Sequence, residues 1–85
     1  MNNENNIFKT QDLYLVSFLM ARGMKLHKVE KAKSIATFLF EDKESIEKIV
    51  TAFYNSTEMV SASKLINAIR DVKSLIHNIK DEVIK

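Results

Sequence analysis

The last twenty-five residues, 61–85, constrain the fold more than any other stretch of the chain. Their apolar residues recur at alternating spacings of three and four, which is the period of one face of an α-helix, and Ser61 precedes them as a suitable N-cap. A helix over 62–85 is about 36 Å long at about 1.5 Å per residue, whereas a compact domain of this size is about 30 Å across. The sequence therefore predicts a helix longer than its domain, with the seam Ala62, Leu65, Ile69, Val72, Ile76, Ile79 and Val83.

The two halves of this helix differ in the width of their apolar stripe. Ile66, Ala68 and Leu75 widen the stripe in the first half, as in a helix that covers the core of its own domain. After Leu75 the stripe narrows toward a coiled-coil seam, which predicts pairing with a second copy of the chain. A dimer is the expected homo-oligomer, although the mostly β-branched seam does not distinguish two strands from more. The residues assigned to self-association are Ile76, Ile79, Val83 and Ile84.

The order of the predicted elements is that of an α+β fold. It runs helix, β-hairpin, helix and long C-terminal helix, and a short strand at Ile7–Lys9 can join the hairpin. Residues 1–6 are polar and are predicted to form a disordered tail. Residues 7–85 are predicted to form a single small domain with a C-terminal helix extension, because no proline-rich or repeated segment divides them.

The first predicted helix is apolar on nearly every side. Within Leu13–Ala21 only Ser17 is polar, so a helix over about 11–22 must be covered from more than one direction. Thr10 suits its N-cap and Gly23 its C-terminal stop, and both favour a helix over the competing assignment to a strand. We expect this helix to be the most buried element, in a core with Leu15, Phe18, Leu19, Phe40, Ile49, Phe53 and Ile69.

Two β-prone segments follow, about 24–30 and 35–41, and their separation by residues 31–34 predicts a hairpin. The linker has no glycine or asparagine, so we expect a looser connection than a tight two-residue turn. Asp42 is predicted to cap a second helix over about 43–55. Its buried stripe consists of Ile46, Ile49, Val50 and Phe53.

Positive charge is concentrated around this hairpin, although the net charge of the chain is only +2. Glu30 is the one acid among the five basic residues Arg22, Lys25, Lys28, Lys31 and Lys33. Such a patch can neutralise phosphates. The sequence predicts a small non-catalytic, self-associating interaction module, and the alternative is a nucleic-acid-binding module that uses this basic β-hairpin and whose affinity falls with salt. Lysine on an edge strand also has a structural use, because it deters edge-to-edge aggregation.

Composition argues against catalysis and against a membrane span. One glycine is too few for a phosphate loop or a Gly-x-Ser-x-Gly motif, and no cysteine is present, which favours a reducing, cytoplasmic setting. The longest nearly apolar run, Leu13–Ala21, is about half of what a bilayer requires. We expect no enzyme, catalytic residue, cofactor, small-molecule substrate or membrane partner.

Two groups of polar residues suggest metal or acid–base chemistry and are better explained without it. His77 and Asp81 lie four apart on the final helix, but two ligands are too few for a specific metal site. Four carboxylates gather near the start of the second helix, where the helix dipole favours negative charge. They are Glu41, Asp42, Glu44 and Glu47.

Several short segments together resemble a known grouping of proteins. They are Phe8-Lys9-Thr10, Asp12-Leu13-Tyr14-Leu15, Ala21-Arg22-Gly23, Val29-Glu30, Phe38-Leu39-Phe40-Glu41-Asp42, Ala52-Phe53-Tyr54-Asn55, Val60 and Ala68-Ile69-Arg70. Over about residues 8–76 the chain resembles a family of short bacterial and phage proteins catalogued as a domain of unknown function. The resemblance implies a small stand-alone domain, often in mobile-element settings, and implies no reaction.

Overall fold

Three strands and three helices make up the part of the chain that the computed structural model describes, residues 6–56 and 59–79. In chain order they are β1 (Ile7–Thr10), α1 (Leu13–Ala21), β2 (Leu26–Ala32), β3 (Ile35–Glu41), α2 (Lys43–Tyr54) and α3 (Ala62–Asn78). The predicted α+β class, the short first strand and the long last helix are confirmed. The predicted tail over 1–6 lies almost entirely outside the described residues.

The strands form one antiparallel sheet in the order β1-β3-β2, so that β3 is central. Its buried side chains Phe38 and Phe40 point to the helices and pair with residues of the same face on both neighbouring strands. The residues on the helix-facing side of the sheet that pack into the core are Phe8, Leu26, Val29, Ala36, Phe38 and Phe40. The three helices therefore cover one face of the sheet and, among the described elements, leave the other without a covering layer.

Helix α1 is the centre of the core, as its apolar composition predicts. Five successive residues, Leu15–Leu19, are buried, and the helix packs against both α3 and α2. The prediction of Thr10 as its N-cap is wrong. Asp12 holds that position and accepts hydrogen bonds from the N–H groups of Tyr14 and Leu15 at 3.0 and 3.2 Å, while Thr10 ends β1.

The C-terminal end of α1 is closed by Gly23, as predicted. Gly23 has a φ of +93°, a left-handed conformation that glycine adopts without strain. Its N–H donates to the carbonyl of Met20, and the N–H of Met24 donates to the carbonyl of Leu19, both at 3.0 Å. These two bonds form a Schellman motif, which turns the chain directly into β2.

The connection between β2 and β3 differs from the prediction of a loose linker. Ala32 pairs with Ile35, so only Lys33 and Ser34 form the turn. Both have positive φ angles, 53° and 68°, which a two-residue turn needs to match the twist of the strands. The six residue pairs that join β2 and β3 impose this conformation on residue types that ordinarily avoid it.

Helix α2 begins where the sequence places it, and Asp42 holds the N-cap position as predicted, but the expected side-chain capping bond is absent. Asp42 precedes the helix with φ 64° and ψ 58°, a left-handed conformation in which its side chain makes no capping hydrogen bond. The residue instead turns the chain out of β3. Ile46 is the fully buried residue of this helix, and Ile49, Val50 and Phe53 pack against the core from its partly exposed side.

Helix α3 begins after Ser61, whose hydroxyl accepts a hydrogen bond from the Lys64 N–H, as predicted. It ends at Asn78, and Ile79 is already extended. Seventeen residues span about 26 Å, so the predicted length of about 36 Å is wrong and α3 is no longer than the domain. Of the seam, Val72 is fully buried and Ile69 is partly buried. None of the described helices is long and apolar enough to cross a bilayer.

Candidate interaction surface

The uncovered face of the sheet carries side chains from all three strands. Leu39 lies at its centre and is paired with Lys9 on β1 and with Lys28 on β2. Although no helix covers this face, Leu39 is only 7% exposed. The aliphatic stems of two flanking lysines can shield a leucine while their ammonium groups stay in water. The apolar centre of this face is therefore shielded from water, and the ammonium groups beside it are positively charged.

Acidic side chains on the same face offset part of this charge. The Nζ of Lys28 lies 3.5 Å from Oε2 of Glu30, and the Nδ1 of His27 lies 3.4 Å from Oε2 of Glu41. His27 is the extra residue of a β-bulge between Leu26 and Lys28, which displaces its side chain toward Glu41 at the end of β3. All four side chains are about half exposed, so these pairs orient the groups and contribute little to the free energy of folding.

Strand β2 is an edge of the sheet, because β3 is its one strand neighbour among the described residues. Backbone polar groups in a strand point alternately to its two sides, so every second residue of β2 directs its N–H and C=O away from β3. An edge of this kind can accept another strand. Its seven residues make it the longer of the two edges, since β1 has four.

Lys31 joins this edge to the end of α3. It pairs with Ala36 and therefore lies on the helix-covered face, where its ammonium group donates to the carbonyls of Ile76 and Ile79 at 3.2 and 3.3 Å. These are two of the carbonyls that a helix end leaves without partners, and a cation there also complements the helix dipole. The C-terminal end of α3 is thus fixed beside β2.

The predicted self-association residues lie partly within this arrangement. Ile76 is half-buried and packs against the core of its own domain, and Ile79 is half-buried at the C-cap. Val83 and Ile84 lie outside the described residues. The structure therefore brings Ile76 and Ile79 next to the β2 edge through Lys31, rather than on a projecting helix.

The five predicted phosphate-binding residues are not gathered in one patch. Arg22 and Lys25 are exposed before β2 begins, and Lys33 lies in the turn at its other end. Seven residues of β2 separate these ends by about 23 Å at about 3.3 Å per residue. Lys28 lies on the uncovered face, and Lys31 on the opposite one. Lys9, which sequence reasoning did not single out, is the cation that shares a row with Lys28.

A groove with apolar walls lies at the other end of the helices. Its volume is about 390 Å³ and its walls include Phe18, Phe53, Val60 and Leu65. Phe18 and Phe53 pack with their ring centroids 4.9 Å apart. Met59 also lines it and is 87% exposed, so the groove has an apolar rim. Sequence reasoning missed this surface, because its members come from α1, α2, the connector that follows α2, and α3.

Some polar groups of the described residues are of the kinds that can bind a metal or take part in a reaction. No group of three potential metal ligands is found there, and Asp81, the suggested partner of His77, lies outside them. The buried hydroxyl of Ser17 donates to the carbonyl of Leu13 at 2.8 Å and is thus a helix contact. A hydrogen bond to the Asp12 carboxylate raises the pKa of Tyr54 above its usual 10.0, with smaller effects from burial and from the charge of Asp12.

Comparison with known proteins gives one finding. The family model for a domain of unknown function, DUF5659, matches residues 5–78, which include every strand and helix described above. No curated protein and no solved structure shows a significant match. The match agrees with the resemblance seen in the sequence motifs and attaches no activity to the fold.

Proposed function

The chain belongs to the DUF5659 family of domains of unknown function, and we propose that it is a non-catalytic interaction module that associates with a second copy of itself. The observation that carries this proposal is the position of Lys31. Its bonds to Ile76 and Ile79 place the apolar end of α3 beside the open edge of β2. An edge strand next to aliphatic side chains offers both backbone hydrogen bonds and apolar area to a partner.

The proposed partner is a second copy of the chain, in a homodimer. Two-fold symmetry lets one patch serve both partners, so that each apolar residue contributes twice. Burial of an aliphatic side chain stabilises by roughly 1.5–3 kcal/mol, which must offset the entropy of association. Ile79 is only half-buried in the single chain, and further burial is still available to it.

The test is sedimentation velocity on the purified protein from about one to several hundred micromolar, the range expected for modest interfaces. The wild type should shift from monomer to dimer as its concentration rises. Ile79→Asp should remain a folded monomer, and the matched control Ile66→Asp, an exposed isoleucine near the other end of α3, should dimerise like the wild type. A wild type that stays monomeric throughout this range contradicts the proposal.

Nucleic-acid binding is the second candidate, on a different set of residues from the one that the sequence suggested. Lys9 and Lys28 stand on either side of Leu39 on the uncovered face, about 10 Å apart at two strand spacings. Binding should weaken with salt and be insensitive to base sequence, because phosphate contacts carry no sequence information. Anisotropy with a labelled duplex should show binding at 50 mM salt that the Lys9→Glu/Lys28→Glu variant loses, while Lys48→Glu/Lys73→Glu retains it. No binding by the wild type at that salt concentration eliminates this candidate.

The origin of the chain and its location in the cell are two further predictions from the sequence that belong to this proposal. They are the bacterial or phage origin of the chain and its cytoplasmic location. Identification of the genes that flank its own gene would test the first, and fractionation of cells that express it would test the second.

A further inference from the structure

We infer that the second copy binds along β2, with the two β2 strands antiparallel about a two-fold axis that passes beside Val29. The inference rests on the proposed self-association and names the surface that it uses. Val29 is the midpoint of β2, which runs from Leu26 to Ala32. A register centred on it therefore pairs Lys28–Glu30 of the two copies, the stretch next to the His27 bulge, and joins two three-stranded sheets into one of six strands.

Charge selects this register over its neighbours. Centring on Val29 places Lys28 opposite the partner's Glu30, and symmetry repeats the pair on the other side of the axis. Both side chains lie on the uncovered face and are about half exposed, at 55% and 45%, so they can reach across. Two neighbouring registers also keep the helices of both copies on one side of the sheet. A register centred on Lys28 opposes two lysines, and one centred on Glu30 opposes two glutamates. Opposite charges across a strand pair are favourable and like charges are unfavourable.

The helix-covered side of the same edge adds apolar contact. A two-fold axis normal to the sheet puts both sets of helices on one side, with the α3 ends flanking the axis. Because Lys31 holds the carbonyls of Ile76 and Ile79, those ends stay close to the strand edge. Lys25 and the partner's Lys33 come opposite each other beyond the ends of β2, but both are exposed to water, so their repulsion contributes little to the free energy of association.

The experiment is a charge exchange between Lys28 and Glu30, read by sedimentation at 0.15 M salt. Lys28→Glu alone opposes two glutamates across the axis, and Glu30→Lys alone opposes two lysines, so each variant should dimerise roughly 10- to 100-fold more weakly than the wild type. An equimolar mixture of the two should form a heterodimer, since its pairs are again opposite. Lys28→Glu/Glu30→Lys in one chain should restore the homodimer.

The controls separate this inference from general charge effects. Lys9→Glu makes the same charge change on the same face but at β1, and it should leave dimerisation within about twofold of the wild type. Circular dichroism should show all variants folded, because the exchanged side chains are half exposed. Single variants that dimerise like the wild type, or a mixture that fails to associate, would overturn the β2 register and leave self-association standing. A wild type that never dimerises would overturn both.

Discussion

The turn between β2 and β3 stores strain that one substitution can remove. Ser34 has a φ of 68° and Lys33 a φ of 53°, and the left-handed conformation costs a residue with a side chain roughly 1–2 kcal/mol. Glycine adopts it freely, but its greater freedom in the unfolded chain reduces the gain by roughly 0.4–1 kcal/mol. Ser34→Gly should therefore stabilise the fold by about 1 kcal/mol. For a domain of 60–100 residues this raises the melting temperature by about 4–8 °C.

The assay is thermal unfolding followed by circular dichroism at low micromolar concentration, where association contributes least. The matched control is Ser74→Gly, the same chemical change at an exposed position inside α3. There glycine replaces a better helix former, so the fold should lose about 0.5 kcal/mol. Opposite signs for the two variants would support the turn geometry. A melting temperature for Ser34→Gly that is unchanged or lower than that of the wild type would refute it, and a looser connection would then be correct.

Three more perturbations test the fold. Leu19→Ala should cost about 2–5 kcal/mol in urea denaturation, because Leu19 is fully buried and leaves a cavity between α1 and its neighbours; no loss would mean that α1 is misplaced. Lys31→Met keeps the aliphatic stem but removes two charge-assisted bonds to α3, so it should cost about 1–3 kcal/mol, whereas Lys33→Met should not destabilise the fold. In a Tyr14→Phe background, ultraviolet titration should find that Tyr54 ionises above pH 10.0, and Asp12→Asn should lower that value. Because folding raises this pKa, the hydrogen bond to Asp12 stabilises the fold fully below about pH 10, the pKa of tyrosine in the unfolded chain. This stabilisation is lost as the pH rises through the higher pKa of Tyr54 in the folded state.

Where the sequence succeeded, the signal was local. The nearly unbroken apolar stretch Leu15–Leu19 can only be buried, Gly23 ends α1 by its backbone freedom, and Ser61 caps α3 through a bond three residues away. Each of these features depends on neighbours in the chain. The hairpin strands were likewise predicted from β-branched and aromatic residues within one short window.

Where the sequence failed, a distant contact or a paired strand decided the outcome. Lys33 and Ser34 do not prefer a tight turn, but the ladder between β2 and β3 forces one on them. Asp42 resembles a cap by residue type, yet the exit from β3 places it in a left-handed conformation. The C-terminal end of α3 is held by Lys31, which lies 45 positions before Ile76 in the sequence. The apolar periodicity of residues 61–85 cannot indicate a bond to so distant a residue. The candidate interaction surface depends on that bond, and for this reason its composition could be only half predicted.

The contact between Lys31 and α3 also has a consequence for the order in which the fold forms. The β2–β3 hairpin is local and can form within about 1–10 μs, but 45 residues separate Lys31 from Ile76. The contact must wait until that long segment has closed and α3 has docked, so it is expected to be absent from the rate-limiting barrier. Its loss should therefore accelerate unfolding and leave the refolding rate nearly unchanged. A single ammonium group thus lengthens the lifetime of the folded domain and has little influence on the rate at which the domain folds.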